Sequence, residues 1–144
     1  MSRDKDLKRF EIAQKTDYEL ALAEIKKGRK TSHWMWYIFP QVAGLGLSDT
    51  SRFYSIKDLE EAAEYLRHPV LGSRIIAISK ELLKLKSNNA RMIFGIPDDM
   101  KLRSSMTLFA SIPDTNPIFQ LVLDKFFEGK TDPYTMKIIG LGQP

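Results

Sequence analysis

Apolar side chains recur every three or four residues along several segments of the chain, which is the spacing of a buried helix face. The first stripe follows a capping box formed by Thr16 and Glu19, and Gly28 is placed to end the helix in a left-handed conformation. These features predict a helix over about residues 17–27, with a shorter helix before it. The stripe comprises Tyr18, Ala21, Leu22 and Ile25.

Later helix starts are marked mainly by proline. Proline is favoured at the first helical position because the N–H that it lacks would have no helical partner there. Ser55 together with Asp58 should open a further helix, and an apolar stripe predicts another over residues 70–86. The four proline-marked starts are His68-Pro69, Pro97-Asp98-Asp99, Asn116-Pro117 and Asp132-Pro133.

Evidence for strands is thin. Residues 34–39 are rich in aromatic side chains, but no hairpin turn flanks them. We interpret this stretch as helical or irregular and buried on most sides. The pattern therefore predicts an all-α fold, a compact single domain over residues 1–144 with about seven or eight short helices joined by short loops.

Composition narrows the range of functions. The 144 residues include no cysteine, which excludes disulfides, a thiolate nucleophile and cysteine-ligated zinc. The longest apolar run, residues 34–40, is far shorter than the roughly 20 residues of a membrane span. The N-terminal residues lack the apolar core of a secretion signal. We therefore expect a cytoplasmic protein with no membrane partner.

Two segments hold most of the side chains suited to chemistry. Residues 26–46 contain both tryptophans and His33 beside four basic residues. Trp34 and Trp36 suit either the core or the wall of a pocket, and the core is the commoner place for such rings. Residues 96–109 contain two serines and a threonine, which are mediocre helix formers. They indicate either close helix packing, which composition slightly favours, or a polar pocket wall.

Three strings in the chain resemble those of a known family. They are GRKTSHWMWYIFPQ at 28–41, HPVLG at 68–72 and DDMKLRSSMTLF at 98–109, and the resemblance extends from about residue 7 to residue 139. The family consists of uncharacterised bacterial proteins that automatic annotation often labels calpastatin. The resemblance implies a single all-helical domain, and it brings no established reaction or ligand.

The calpastatin label conflicts with the composition. Calpastatin proper inhibits a cysteine protease through disordered segments, and such segments are poor in aromatic and large aliphatic residues. This chain has eight Phe, five Tyr and two Trp, and its predicted helices are capped and amphipathic. We therefore reject protease inhibition as the default function.

The first functional hypothesis is a pocket where the two unusual segments meet. This pocket would bind a small anionic or nucleotide-like ligand. If the pocket is also catalytic, the protein is a hydrolase or transferase. His33 is the candidate catalytic residue because an imidazole exchanges protons near neutral pH. The candidate ligand-binding residues supply cations, hydroxyl groups and rings for stacking: Trp34, Trp36, Lys101, Arg103, Ser104 and Ser105.

No cofactor and no metal site are predicted. Gly44-Leu45-Gly46 lacks the third glycine of a dinucleotide fingerprint, so it is interpreted as a turn. Of the two histidines, His68 is better explained as a helix cap than as a ligand. Asp98 and Asp99 are adjacent, so on a helix their side chains diverge by about 100° and cannot readily chelate one ion.

The second functional hypothesis is a non-enzymatic module that binds a protein partner of unknown identity. Nucleic acid is a less favoured partner. The formal charge of +4 comes mainly from residues 1–30 and 76–111, and acidic residues dilute the excess in both. A protein that neutralises many phosphates usually carries a denser basic stripe.

Overall fold

The computed structural model describes residues 3–141, with side chains from residue 7 onward. Within that range it contains nine helices, and extended pairing is limited to one parallel bridge between Val42 and Ile56. The all-α prediction is confirmed. The helices are α1 (Arg3–Lys27), α2 (Met35–Ile38), α3 (Asp49–Phe53), α4 (Leu59–Arg67), α5 (Leu71–Lys84), α6 (Ala90–Phe94), α7 (Asp98–Ala110), α8 (Ile118–Phe127) and α9 (Pro133–Ile138).

The first helix is longer than the capping box indicates. α1 is continuous, so Thr16 lies exposed in its interior, and the prediction of two helices is wrong here. Leu7, Phe10 and Tyr18 are all buried on one stripe that passes through the capping box without a change of phase. Burial of this stripe outweighs the small propensity cost of an interior threonine. Gly28 ends the helix with a φ of +82°, as predicted.

The other predicted starts agree with the structure to within two residues. α9 begins at Pro133, α7 and α8 begin one residue after Pro97 and Pro117, and α5 begins two residues after Pro69. The Nδ1 atom of His68 accepts hydrogen bonds from two backbone N–H groups at the start of α5, which confirms its capping role. Asp58 alone caps α4; Ser55, predicted as part of that start, lies outside the helix.

Two five-residue helices, α3 and α6, are not predicted by the pattern. Each has a side-chain cap, since Ser48 accepts a hydrogen bond from Ser51 N and Asn89 accepts one from Met92 N. Neither is long enough for an apolar stripe to repeat, so periodicity cannot detect it. They account for the larger number of helices in the described residues than the pattern predicts.

Helices α5 and α7 organise the packing. α5 packs against α1, α4 and α8, and α7 packs against α4, α6, α8 and α9. The short helix α2 lies on α1. Residues 34–39 are helical at their centre and mostly buried, as interpreted from the sequence, with Trp36 only half-buried. Because α7 contacts so many neighbours, each of its polar residues faces either another element or a cleft.

Candidate ligand-binding site

A buried carboxylate fixes the segment that carries His33. Glu24, near the end of α1, is 6% exposed. Its Oε1 accepts hydrogen bonds from Thr31 N at 2.7 Å, Ser32 N at 3.0 Å and Trp34 Nε1 at 3.0 Å. Its Oε2 accepts one from Ser32 Oγ at 2.6 Å. Burial alone would raise the pKa of Glu24, but these bonds to the charged form outweigh it and lower the pKa to about 2.

Tyr37 holds the same segment from its other end. Its hydroxyl donates a hydrogen bond to Asp17 Oδ2 on α1 and lies 3.2 Å from the carbonyl oxygen of His33. Burial, reinforced by the neighbouring carboxylate, raises the pKa of Tyr37 above its usual value. The backbone at His33 is therefore tied to α1 through two independent side chains.

The two tryptophans have different environments. Trp34 is completely buried, and its ring packs against Phe39 and Phe94 with centroid distances of 6.3 and 6.4 Å. Trp34 is thus a core residue, the commoner of the two environments considered for it. Trp36 is half-buried and lines a cleft, with Lys101 Nζ 5.1 Å from the centroid of its ring.

A charged triad joins the segment before α2 to the start of α7. Asp98 Oδ2 lies 2.8 Å from Lys30 Nζ, and Asp98 Oδ1 lies 3.3 Å from Lys101 Nζ. The side chain of Lys30 is only 7% exposed, so its charge is poorly screened by solvent. One carboxylate serves two ammonium groups, which leaves the triad with a net positive charge.

The triad lies in a cavity of about 390 Å³. His33 is exposed at this cavity, and its ring forms no hydrogen bond or ion pair with the described residues. The walls combine the polar segment around His33 with apolar side chains from the turn before α7. They are Lys30, Thr31, Ser32, His33, Met35, Trp36, Phe94, Ile96, Pro97, Asp98 and Lys101.

A second cavity, of about 410 Å³, adjoins the first and shares Trp36, Pro97 and Lys101 with it. We call the two together the Lys101 cleft. Gly46, predicted as a turn residue, lines the second cavity, and a Cβ there would clash with the side chain of Ser51. The remaining walls are Gln41, Leu45, Leu47, Ser48, Ser51, Met100 and Ser104.

Arg103, predicted to bind the ligand, is engaged elsewhere. Its Nε donates to the carbonyl of Lys130 at 3.1 Å and its Nη2 to the carbonyl of Thr131 at 2.6 Å. Arg103 lines neither cavity of the Lys101 cleft. The geometry therefore brings His33 together with Lys101 and Trp36, but not with the guanidinium of Arg103.

The carbonyls that Arg103 binds belong to the loop that enters α9. Asp132, the cap of α9, is buried, and its Oδ2 accepts hydrogen bonds from Ser104 Oγ at 3.1 Å and from Thr135 N and Oγ1 at 3.0 and 2.6 Å. Its backbone N–H donates to Thr107 Oγ1 at 2.9 Å. We call Arg103, Ser104, Thr107, Asp132 and Thr135 the α7–α9 joint.

The joint explains most of the serine and threonine content of α7. Ser104 lines the second cavity, yet its hydroxyl bonds Met100 O and Asp132 Oδ2. Ser105 is completely buried, and its Oγ has no hydrogen-bond partner among the described residues. Its small size fits the close-packing alternative. Thr107 serves the joint, a role that neither alternative considered.

Sequence reasoning missed Lys30 and Asp98 as cleft residues. A basic residue just after α1 and an acidic residue in the first turn of α7 are each explained locally by the helix dipole. Both explanations are local, whereas the pair that these residues form is long-range. The signals in the sequence were their presence within the quoted family strings and the three-residue spacing of Asp98 and Lys101.

The comparisons with known proteins cover nearly the whole chain. A protein-family model, described as "Protein of unknown function (DUF1810)", matches residues 4–139. The chain belongs to this family. It is also similar to the conserved hypothetical protein Rv1873 from Mycobacterium tuberculosis, known from a crystal structure. Identity is 43%, with 93% of this chain and 96% of that chain covered and a TM-score of 0.91. No curated protein matches.

Both matches support the expectation of a family without an assigned reaction, since one is described as of unknown function and the other as a conserved hypothetical protein. Neither description mentions calpastatin. Within the described residues, no group of three or more His, Cys, Asp or Glu side chains could hold a metal ion. Over the same part of the chain, no helix is both long and apolar enough to cross a membrane.

Proposed function

We propose that this DUF1810 protein binds a small anionic ligand, phosphate-bearing and nucleotide-like, in the Lys101 cleft. The observation that carries the proposal is the charge balance of the triad. Each ammonium has three N–H groups, and the carboxylate of Asp98 can engage only part of this capacity. Donors and one net positive charge therefore remain available on the wall of a cavity of ligand size.

The first cavity suits the anionic group. Lys30 and Lys101 approach it from two different elements, and the exposed His33 adds a ring with unused nitrogen atoms. A phosphate accepts hydrogen bonds on several oxygens, so it can contact these donors at the same time. A neutral ligand would leave the net charge uncompensated.

The second cavity suits a planar or apolar group. Trp36 presents its ring on the boundary, and Leu45, Leu47 and Met100 supply apolar walls. Aromatic side chains stack on nucleobases with a contribution of about 1–3 kcal/mol per base. A ligand with a phosphate at one end and a ring at the other would fill both cavities and pass beside Lys101.

His33 is the residue of the cleft suited to proton transfer if the ligand reacts. A hydrolase or transferase of phosphorylated compounds needs a group that donates to the leaving oxygen or activates the attacking one. The ring of His33 is free to take that part because no described side chain engages it. Binding itself requires no reaction.

The test is calorimetric titration with adenosine 5′-monophosphate, inorganic phosphate and adenosine. We expect the nucleotide to bind more tightly than either fragment. Lys101→Gln should weaken nucleotide binding about tenfold, the effect of losing one charge-assisted contact of about 1.4 kcal/mol. Arg103→Gln is the matched control, since it removes a cation two positions away on the same helix that lines neither cavity.

Two results would contradict the proposal. One is the absence of heat with all three probes at millimolar concentration from folded protein. The other is an equal loss of affinity in the Lys101 and Arg103 variants, which would show that bulk charge rather than the cleft attracts the anion.

A protein partner is the second candidate function. Three exposed apolar side chains border the cleft, and the most exposed of them, Leu47, is 82% accessible. The other two are Ile96 and Met100. Exposed apolar residues at a cleft are typical of docking surfaces. This alternative gains support if the three small-molecule probes fail to bind.

A further inference from the structure

A third cavity, of about 520 Å³, lies where the segment before α6 meets the start of α7 and the end of α8. It shares Met100 with the second cavity of the Lys101 cleft but contains none of the triad. Its polar side chains are Asn88, Asn89, Arg91 and Asp99. We call it the Asp99 pocket.

Asp99 is a buried carboxylate with unused acceptor capacity. The residue is 7% exposed, and its Oδ1 has no hydrogen-bond partner among the described residues. Its Oδ2 lies 3.9 Å from Arg91 Nε, which is beyond hydrogen-bond distance, and the side chain of Arg91 is 70% exposed. Apart from the helix dipole at the start of α7, this buried charge has little compensation, so a group that supplied a donor and a positive charge would be bound favourably.

Asp99 differs from its neighbour Asp98 in how its charge is paired. Asp98 is paired with both lysines of the triad, whereas the one cation paired with Asp99 among the described residues is distant and largely exposed. As predicted for adjacent residues on a helix, the side chains of Asp98 and Asp99 diverge at the start of α7. The two lysines that pair with Asp98 are therefore not among the residues that line the Asp99 pocket.

The other polar groups of the pocket do not favour a divalent metal as the ligand. Asn88 Oδ1 accepts a hydrogen bond from Lys125 Nζ at 2.9 Å, and Asn89 Oδ1 accepts one from Met92 N at 3.2 Å. Both amide oxygens are therefore engaged. Calcium takes about six to eight oxygen ligands, and a magnesium ion held by this one carboxylate would keep most of its waters, so the described residues of the pocket offer no protein cage for either ion.

The walls favour a cation that also carries an apolar group. Phe126 and Phe127 line the pocket together with Met100. A cation already lies against one of these rings, since Lys125 Nζ is 5.4 Å from the centroid of Phe126. Aromatic rings attract ammonium groups through their quadrupole and bury apolar groups equally well.

We propose that the Asp99 pocket binds an organic monocation, namely a primary ammonium attached to an apolar chain or ring. The ammonium donates to the carboxylate of Asp99, and the apolar part lies against Phe126 and Phe127. Arg91 competes with the ligand for the same carboxylate. This site is independent of the anion proposed for the Lys101 cleft.

The experiment is a titration of the intact protein with phenethylammonium chloride, followed by amide chemical shifts in NMR spectra. We expect saturable shifts at residues of the Asp99 pocket. Asp99→Asn should weaken binding at least about tenfold, because it removes the charge and keeps the shape. Arg91→Gln should tighten it about threefold, because a competing cation is lost.

Two controls separate this site from general charge effects. Asp124→Asn removes the same charge from an exposed position of α8 and should leave the affinity unchanged. Phenethyl alcohol, used with the unmodified protein, keeps the ring and loses the charge, and it should not bind. The proposal is overturned if the ammonium fails to bind at millimolar concentration, if Asp99→Asn binds it equally well, or if the alcohol binds as tightly.

Discussion

The two polar faces of α7 contain the same kinds of side chain and differ in how completely their hydrogen-bonding groups are used. At the α7–α9 joint, Asp132 accepts three hydrogen bonds and Arg103 donates to two carbonyls, so the polar groups satisfy one another. In the Lys101 cleft, two lysines share Asp98 and His33 has no described partner. The balance of donors and acceptors, rather than residue type, therefore separates a structural network from a candidate binding site.

The largest expected effect comes from removing the hydrogen bonds by which Glu24 fixes the segment that carries His33. Glu24→Gln replaces a carboxylate that accepts four hydrogen bonds with an amide that cannot accept them all. The pKa of Glu24 is lowered from 4.5 to about 2, which corresponds to about 3 kcal/mol of stability at neutral pH. We expect a loss of about that size in urea unfolding, together with weaker nucleotide binding because His33 and Lys30 lose their fixed positions.

The stability that Glu24 contributes should decrease as the pH falls. The folded-state pKa of Glu24 lies below the unfolded-state value, so the folded protein binds this proton less tightly than the unfolded chain does. Its contribution is fully present above about pH 4.5 and disappears as the pH falls toward 2. The difference in unfolding free energy between the unmodified protein and Glu24→Gln should shrink over that interval. Glu19→Gln, at an exposed position of the same helix, should show no such trend.

Much of the architecture is predictable from the sequence because its causes are local. The proline-marked starts of α7 and α9 and the ending of α1 at Gly28 depend on residues within a few positions of one another. The capping box at Thr16 fails because a continuous buried stripe overrides a local signal. In each correct case, the local preference and the packing agree.

The candidate site is less predictable because its contacts are long-range. His33, Trp36 and Lys101 do line one cleft, as the co-occurrence of their types indicated. Arg103 is also a cation suited to bind an anion, but its position around the axis of α7 places its side chain against the loop before α9. Which face of α7 meets α9 and which meets the 31–36 segment follows from the tertiary packing, and a single sequence contains no direct record of it.

A smaller effect is expected at the joint. Asp132→Ala removes the acceptor for Ser104 Oγ and for Thr135 N and Oγ1, and it also deletes the cap of α9. We expect a loss of about 2 kcal/mol, since a buried network and a helix cap are lost together. Hydrogen exchange should show the largest loss of amide protection in α9, because Asp132 caps that helix and connects it to α7, the principal packing partner of α9. The exposed Asp124→Ala change is the matched control, and equal destabilisation by both would remove the special role of the joint.

The smallest effect concerns Arg103, which the sequence analysis includes among the ligand-binding candidates and the structure places in the α7–α9 joint. Arg103→Met keeps most of the aliphatic stem and loses two hydrogen bonds to carbonyls, so we expect a loss of about 1 kcal/mol in unfolding free energy. Affinity for adenosine 5′-monophosphate should remain within about twofold of the unmodified protein, because Arg103 lines neither cavity. Arg67→Met, on an exposed part of α4, should change neither quantity. If Arg103→Met instead lowers nucleotide affinity as much as Lys101→Gln, bulk charge rather than the Lys101 cleft attracts the anion, and the two faces of α7 do not differ in function.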